Sequence, residues 1–422
     1  FIERDELRIE ANDGVHQTHE IVAIGSVEFK KIPLTSEYFT LGTTDKPDDT
    51  IMGWSQAVID NPSKLSDFNS MDFSNQDEIK YIDGECYFAT IVKDRVHPLY
   101  NLFDYWDPQK INLGNLTFKN NYEFVTGNRT FASFDNEKPP TNLSSLIILD
   151  FGHSIWASTD TTYSAHETFW QSNLSTVSNL NLKEATFVTD SYSSASSEAD
   201  LYIASDTFYD TNLSGLKTLD LSEIIFMVDN INENVEKYIH TASFTFAYAN
   251  LSELINLNMN GAKFAGINML IGDTDSGGRV LSGDNTFFNA LLSNLTELNL
   301  SNSIFAIDNA VTMSNSRLYS GYQTFKNADL SKLSTLNLSK TMLQTPSMDT
   351  SVMVHNPVYE TFNSSNFSSL TEIYLPTTTQ SYSWYQTFNN HNVESSFTIH
   401  GYEERPGWFN ANWWNGATWS LE

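Results

Sequence analysis

Thr207-Phe208-Tyr209-Asp210-Thr211-Asn212-Leu213-Ser214-Gly215-Leu216-Lys217-Thr218-Leu219-Asp220-Leu221-Ser222-Glu223-Ile224-Ile225-Phe226 is the stretch that decides the fold. Its Thr-Phe pair recurs at Thr130-Phe131, Thr168-Phe169, Thr245-Phe246, Thr286-Phe287, Thr324-Phe325, Thr361-Phe362 and Thr387-Phe388. From Phe131 onward the successive steps, with Phe208 included, are 38, 39, 38, 41, 38, 37 and 26 residues. Five residues after each Phe, from the second copy on, stands Leu174, Leu213, Leu251, Leu292, Leu330, Phe367 or Val393. In the first copy an Asn136-Glu137-Lys138-Pro139-Pro140 insertion pushes that partner to Leu143. Further apolar positions follow, as in Leu216, Leu219, Leu221 and Phe226, then Leu254, Leu257, Met259 and Phe264, then Leu295, Leu298, Leu300 and Phe305. Self-similarity at a fixed period of this size is the mark of a repeat architecture.

The closing Leu-x-Leu has the period of two that sends alternate side chains to one face of a β-strand. One such unit cannot bury its apolar face alone. Stacked units can, with each row of Leu lying on the row before and the strands joining in a parallel sheet. The Phe of the dipeptide and the Phe that ends the unit are expected to form the opposite wall. Burying a Leu or Phe contributes roughly 1.5–3 kcal/mol, enough in a long column to offset the ordering of the loops.

Around this array the chain has 422 residues, with 23 Lys+Arg against 52 Asp+Glu and a formal net charge of −29. That acidity repels phosphate and argues against nucleic acid or an anionic membrane as the main partner. Charge is unevenly spread: residues 1–130 hold 22 acidic and 12 basic side chains, residues 131–422 hold 30 and 11. Cys86 is the only cysteine, so no internal disulfide framework can form, and a buried thiol is its plainest role. No apolar run approaches the ~18–20 residues of a transmembrane helix. The chain opens Phe1-Ile2-Glu3 and reads as a portion of something longer.

The repeat resembles the leucine-rich repeat, and more narrowly the BspA-like or treponemal-type class of bacterial surface proteins, whose units read Ala-Phe-x2-Cys-x-x-Leu-x-x-Ile-x-Leu-Pro. Thr361-Phe362-Asn363-Ser364-Ser365-Asn366-Phe367-Ser368-Ser369-Leu370-Thr371-Glu372-Ile373-Tyr374-Leu375-Pro376 matches best, down to the closing Pro. The resemblance covers about residues 130–400. It implies a β-rich leucine-rich-repeat solenoid of parallel strands and a secreted or cell-surface recognition protein, adhesin-like and not an enzyme. Its partner would be a protein or glycan on a host or neighbouring cell. Two departures stand out. Thr replaces Ala before the Phe, and the Asn that usually ladders along one edge is replaced by Ala185, Ile224, Ala262, Ser303 or Thr341. The units, about 38 residues long, also carry inserts at Ser191–Asp206, Asn230–Phe244, Gly266–Asn285 and Asn309–Gln323, expected to project from one side.

Three surfaces are candidates for binding. One is the column between the last two Leu of each unit: Asp150, Asn181, Asp220, Asn258, Asn299, Asn337 and Tyr374. It would meet a partner through many spaced hydrogen bonds, or simply solvate the outer sheet face with stacked amides. The inserts bring Tyr192, Tyr202, Tyr238, Tyr319 and Tyr322 near Asp190, Asp229 and Asp308, either as contacts or as pins for the loops. At the C-terminal end, Trp408, Trp413 and Trp414, with Trp384 and Trp419, would cap the last apolar row or stack on sugar rings. Asp273-Thr274-Asp275-Ser276-Gly277 with Asp284 lacks the ligands of a calcium loop and reads as a solvated acidic turn. Asn-x-Ser/Thr triplets at Asn173, Asn212, Asn250 and Asn337 follow from the repeat's own wording.

No catalytic signature is present. His16 and His19 beside Glu20 form no metal site with a second cluster, and no phosphate loop or nucleophile elbow occurs. No cofactor is expected. Before the repeats, Glu20–Lys31 and Tyr87–Val92 read as strands, with turn signals at Gly42, Lys46-Pro47-Asp48-Asp49, Asn61-Pro62 and Asp83-Gly84. The organisation expected is a mixed or mostly β flanking domain over 1–128, the solenoid over 129–400 and an aromatic cap over 401–422. Surface recognition is the function expected, with a sugar-binding module built on the terminal Trp residues, or a self-assembling subunit of a surface layer or filament, as the alternatives.

Overall fold

The computed structural model describes residues 8–12, 17–21, 28–43, 46–72, 81–83, 90–92, 95–97, 107–120, 143–159, 163–165, 168–190, 201–229, 231–235, 238–267, 269–271, 279–308, 311–312, 317–344, 354–355, 360–376, 397–401 and 418–421. Among these the chain is β-rich, with parallel strands in large sheets and one short α-helix, Gln56–Asp60. Strands in parallel register from turn to turn are compatible with a parallel β-solenoid. The Leu-x-Leu strands form an eleven-stranded sheet that runs through Thr218–Asp220, Asn256–Asn258, Glu297–Asn299 and Thr335–Asn337 in register. Leu219 lies beside Leu257 and Leu257 beside Leu298, so each leucine sits on the one before it. All three are buried. A second sheet of ten strands carries the Phe that ends each unit: Phe187, Phe226, Phe264 and Phe305 are successive partners.

Strand spacing explains the aromatic columns. Neighbouring strands lie roughly 4.7–4.9 Å apart, close to the separation at which rings stack in offset fashion. Phe169, Phe208, Phe246, Phe287, Phe325 and Phe362 stack with centroids 5.0, 4.9, 5.1, 5.1 and 5.3 Å apart and ring planes within 5°. Trp156, Phe187, Phe226, Phe264 and Phe305 form a second stack, at 5.7, 5.1, 5.1 and 4.7 Å. With the leucines they make one contiguous core from Ile32 to Ile399.

Thr in place of Ala before each Phe has a physical reason. Thr168, Thr207, Thr245, Thr286, Thr324 and Thr361 are all buried. From Thr207 onward each hydroxyl donates to a backbone carbonyl of the preceding turn: Ala165, Ala204, Ala242, Gly283 and Gly321 in order, at 2.8, 3.0, 3.2, 2.9 and 2.5 Å. These carbonyls belong to corner residues with positive φ, among them Ala204 at 53° and Gly283 at 66°. A carbonyl turned at such a corner needs a partner in the dry interior, and the hydroxyl supplies it. Other corners also repeat in columns; His153, Glu184, Glu223, Gly261 and Asn302 all have φ between 58° and 72°.

Three expectations change. The boundary expected at residue 128 interrupts neither large sheet, because Ser70–Asp72 and Lys110–Asn112 precede Ile148–Asp150 in the leucine sheet. Met71 and Ile111 stand there in the leucine column, which hid these turns from a search for Leu. Likewise Phe118 lies beside Trp156 in the second sheet. The inserts do not simply project: Leu201–Ile203, Tyr238–Thr241, Arg279–Ser282 and Arg317–Ser320 form a further parallel sheet, and Ile203 and Leu281 are buried in the wall. Finally, Gly42 and Lys46-Pro47-Asp48-Asp49 are strand residues in Phe39–Thr43 and Lys46–Trp54, with Gly42 at an irregularity in that antiparallel pair. Pro47 is tolerated because the parallel neighbour pairs only at Thr50 and Ile51. Of the strands expected over Glu20–Lys31 and Tyr87–Val92, among the described residues only Glu20 and Ile21 of the first fall in a strand, Gln17–Ile21, while residues 28–30 are irregular; the second contains the strand Thr90–Val92.

Candidate functional site

The expected binding column is assembled in full. Asp150 pairs with Asn181, Asp220 with Asn258, Asn258 with Asn299, and Asn337 with Tyr374. Its hydrogen bonds turn inward along the stack. Asn181 donates Nδ2–H to Asp150 Oδ1 at 2.9 Å, Asn258 to Asp220 at 3.0 Å, and Asn299 to Asn258 at 2.9 Å. The Oδ1 atoms along the column, those three acceptors included, accept the backbone N–H two residues on: Gly152 onto Asp150, Lys183 onto Asn181, Ser222 onto Asp220, Asn260 onto Asn258, Ser301 onto Asn299 and Ser339 onto Asn337. Asn and Asp are the side chains that close this local turn. The column is thus a ladder in which Asn181, Asn258 and Asn299 each tie a strand exit to the turn before it. It also extends beyond the residues expected, to Asp72 and Asn112 before Asp150 and to His400 and Ser420 after Tyr374. Tyr374 and His400 stack face to face at 4.2 Å.

A second ladder runs through the Asn of the Asn-Leu-Ser motif. Asn212 donates to Asn173 at 3.4 Å, Asn250 to Asn212 at 3.3 Å, and Asn366 to Asp329 at 3.2 Å. Ala185, Ile224, Ala262, Ser303 and Thr341, where an Asn ladder was expected and is replaced, are buried. Ser303 and Thr341 still donate to the Met259 and Leu300 carbonyls of the turn before, at 2.6 and 2.9 Å, and elsewhere the backbone is served by the two other positions. The amide nitrogens of Asn212 and Asn250 are occupied in the ladder, which sets the folded chain against glycosylation at those triplets.

A different surface gathers one exposed and three half-buried aromatic side chains. At the turns that enclose the Phe208–Phe246–Phe287 stack, Tyr209, Phe244, Tyr248 and Phe288 come together on the solvent side. Neighbouring rings form a closed circuit: Tyr209–Phe244 at 6.4 Å, Phe244–Phe288 at 6.3 Å, Phe288–Tyr248 at 5.5 Å and Tyr248–Tyr209 at 5.2 Å. They are tilted to each other by 55–76°. Tyr248 is 42% exposed, and the other three are half-buried. Asp206 and Asp210 flank Tyr209; Asp206 accepts from the Ser205 hydroxyl at 2.6 Å and Asp210 from the Gln171 amide at 3.3 Å. Burial first, then Tyr248 and the two carboxylates, push the Tyr209 phenol above its ordinary value.

One carboxylate lies within the wall. Asp284 is 1% exposed and is approached by His240 Nδ1 at 2.5 Å, the Ser243 hydroxyl at 3.3 Å and the Asn285 amide at 2.6 Å. This corrects the reading of Asp284 as part of a solvated acidic turn. Burial forces a carboxylate to collect such partners, and here they come from two adjacent turns. Asp273–Gly277 lie outside the described residues.

Trp384, Trp408, Trp413, Trp414, Tyr192, His16 and Cys86 also lie outside the described residues. Trp419 is described: it follows Ile399 in the leucine column and packs against the core. Tyr202, Tyr238 and Tyr319 belong to strands of the insert sheet, and Tyr322 sits half-buried in the next turn. Asp190, Asp229 and Asp308 end strands of the phenylalanine sheet. Among the described residues no group of three His, Cys, Asp or Glu gathers for a metal, and no helix is long and apolar enough to cross a membrane. The chain is thus a β-rich protein of parallel strands in large sheets, with an aromatic corner on its outside. Comparison with protein-family models, curated proteins and solved structures returns no match.

Proposed function

We propose that this chain is a non-enzymatic recognition protein that binds a macromolecular partner at the cell surface, with its solenoid as a rigid display frame. The observation that carries this reading is the four-ring corner of Tyr209, Phe244, Tyr248 and Phe288. Aromatic side chains with polar tips supply much contact area for little lost entropy, and they dominate binding hot spots. The Asn/Asp column is the weaker contact surface, because its amides and carboxylates already serve the ladder. The resemblance to BspA-like repeats supports a leucine-rich-repeat type of coil and an extracellular setting. It also supports a protein or glycan on a host or neighbouring cell as the partner.

The test is a screen of the whole chain on arrays of extracellular proteins and of glycans, repeated with Tyr209→Asn/Tyr248→Asn. Asn is the residue that other turns place in these columns, at Asn363 and at Asn289 and Asn327. A ligand bound by the native chain and lost in the variant, at equal melting temperature, is the expected outcome. A ligand retained by the variant but lost on Asn258→Ala would return the contact to the column, and reproducible turnover of a substrate would overturn the non-enzymatic reading.

A further inference from the structure

We infer that the aromatic corner takes a lysine or arginine side chain from an extended segment of a protein partner, an inference that rests on the recognition reading above. A cation is drawn to the faces of aromatic rings, and more strongly where carboxylates stand beside them. Both parts are present: four rings in a circuit, and Asp206 and Asp210 on either side of Tyr209. The tilt of 55–76° between neighbouring rings breaks up the flat platform on which a sugar would stack. Among the described residues of the four turns at 168–172, 206–211, 244–249 and 285–290 there is no Lys or Arg.

The array itself contains the pairing that a partner would complete. In the turn that follows, Lys326 occupies the column position of Tyr209 and Phe288, and one turn later Glu360 occupies that of Asp206 and Phe244. Lys326 Nζ bonds Glu360 Oε2 at 2.5 Å. A cation against an acid at these two columns is therefore a geometry the coil accommodates. At the aromatic corner the matching positions are Tyr209 and, one turn later, Phe244, so rings stand where that ion pair stands and the cation would come from outside. The net charge of −29 steers cationic segments toward the chain.

Because any basic peptide will feel that net charge, the experiment must separate rings from bulk charge. Titration calorimetry of the whole chain is run with a short peptide alternating arginine and glycine, and with the same peptide carrying neutral citrulline for arginine. Tyr209→Asn/Tyr248→Asn tests the rings, and Glu297→Gln, an exposed acid on the leucine sheet, tests bulk charge. The expected result is binding of the arginine peptide that falls about ten-fold in the ring variant and in the citrulline peptide, with Glu297→Gln within about two-fold of native. Unchanged melting of the ring variant shows that the fold is intact. Equal binding of the arginine peptide by native chain and ring variant overturns the inference. If instead a glycan or the citrulline peptide binds the native chain as well and is lost in the ring variant, the corner is a recognition site of another chemistry and only the cationic inference fails. Ring variants that alter no ligand at all would remove both.

Discussion

A threonine hydroxyl and a tyrosine phenol show how much single residues decide here. Thr324 Oγ1 donates to the Gly283 carbonyl across adjacent turns at 2.9 Å, in the dry interior. Thr324→Val keeps the shape and deletes the donor, so it should lower stability by about 1–3 kcal/mol, read from the urea midpoint. A midpoint equal to native would show that the carbonyl finds another partner. Tyr209 provides a second check. Its phenol is held above the ordinary 10.0, so the folded state favours the neutral form more than the unfolded chain does. The sign follows: stability is untouched by this group below about pH 10 and falls as pH rises from there through the folded value. Ultraviolet difference titration of the native chain against Tyr209→Phe should assign a late-titrating phenol to Tyr209, and that phenol should move back toward the ordinary value in Asp206→Asn/Asp210→Asn. A titration unchanged in that variant would remove the carboxylates as causes.

At the scale of the element, the turn of the solenoid is the unit, and its columns differ in how far they could be read. The Leu and Phe columns were legible because they repeat one residue type at one offset, and burial demands that repetition. Met71 and Ile111 occupy the same column but escaped notice, since the core asks for an apolar volume and not for leucine itself. The ladder role of Asn258 was legible only as one of two readings, because an exposed-looking Asn satisfies either. The aromatic corner was not legible. Tyr209, Phe244, Tyr248 and Phe288 occupy three different columns, and only the stacking of turns brings them together. The usable signal was an aromatic where other turns place a polar residue: Tyr248 stands among Gln171, Asp210, Asn289 and Asn327, and Phe244 among Asp206, Asn285 and Gln323. The stack itself makes a further prediction. Phe264 lies between Phe226 at 5.1 Å and Phe305 at 4.7 Å, so Phe264→Ala opens a gap touching two turns. A loss of about 3–5 kcal/mol is expected from chemical denaturation, and a loss under about 1 kcal/mol would mean that the column collapses to fill the space.

For the whole molecule, the division of labour matters most: ladders and stacks hold the turns together, and the aromatic corner on the outside is the proposed contact surface. Each turn contacts chiefly its neighbours, so damage to a ladder weakens the fold locally, whereas a change at the exposed corner leaves it standing. The two roles separate in one crossed measurement on a ligand found in the array screen, with affinity and melting temperature recorded for Tyr248→Asn and Asn258→Ala side by side. Tyr248→Asn should lose about ten-fold in affinity at native melting temperature, and Asn258→Ala should melt lower while its folded fraction binds as native. The reverse pattern, with binding lost on Asn258→Ala and untouched on Tyr248→Asn, would contradict it.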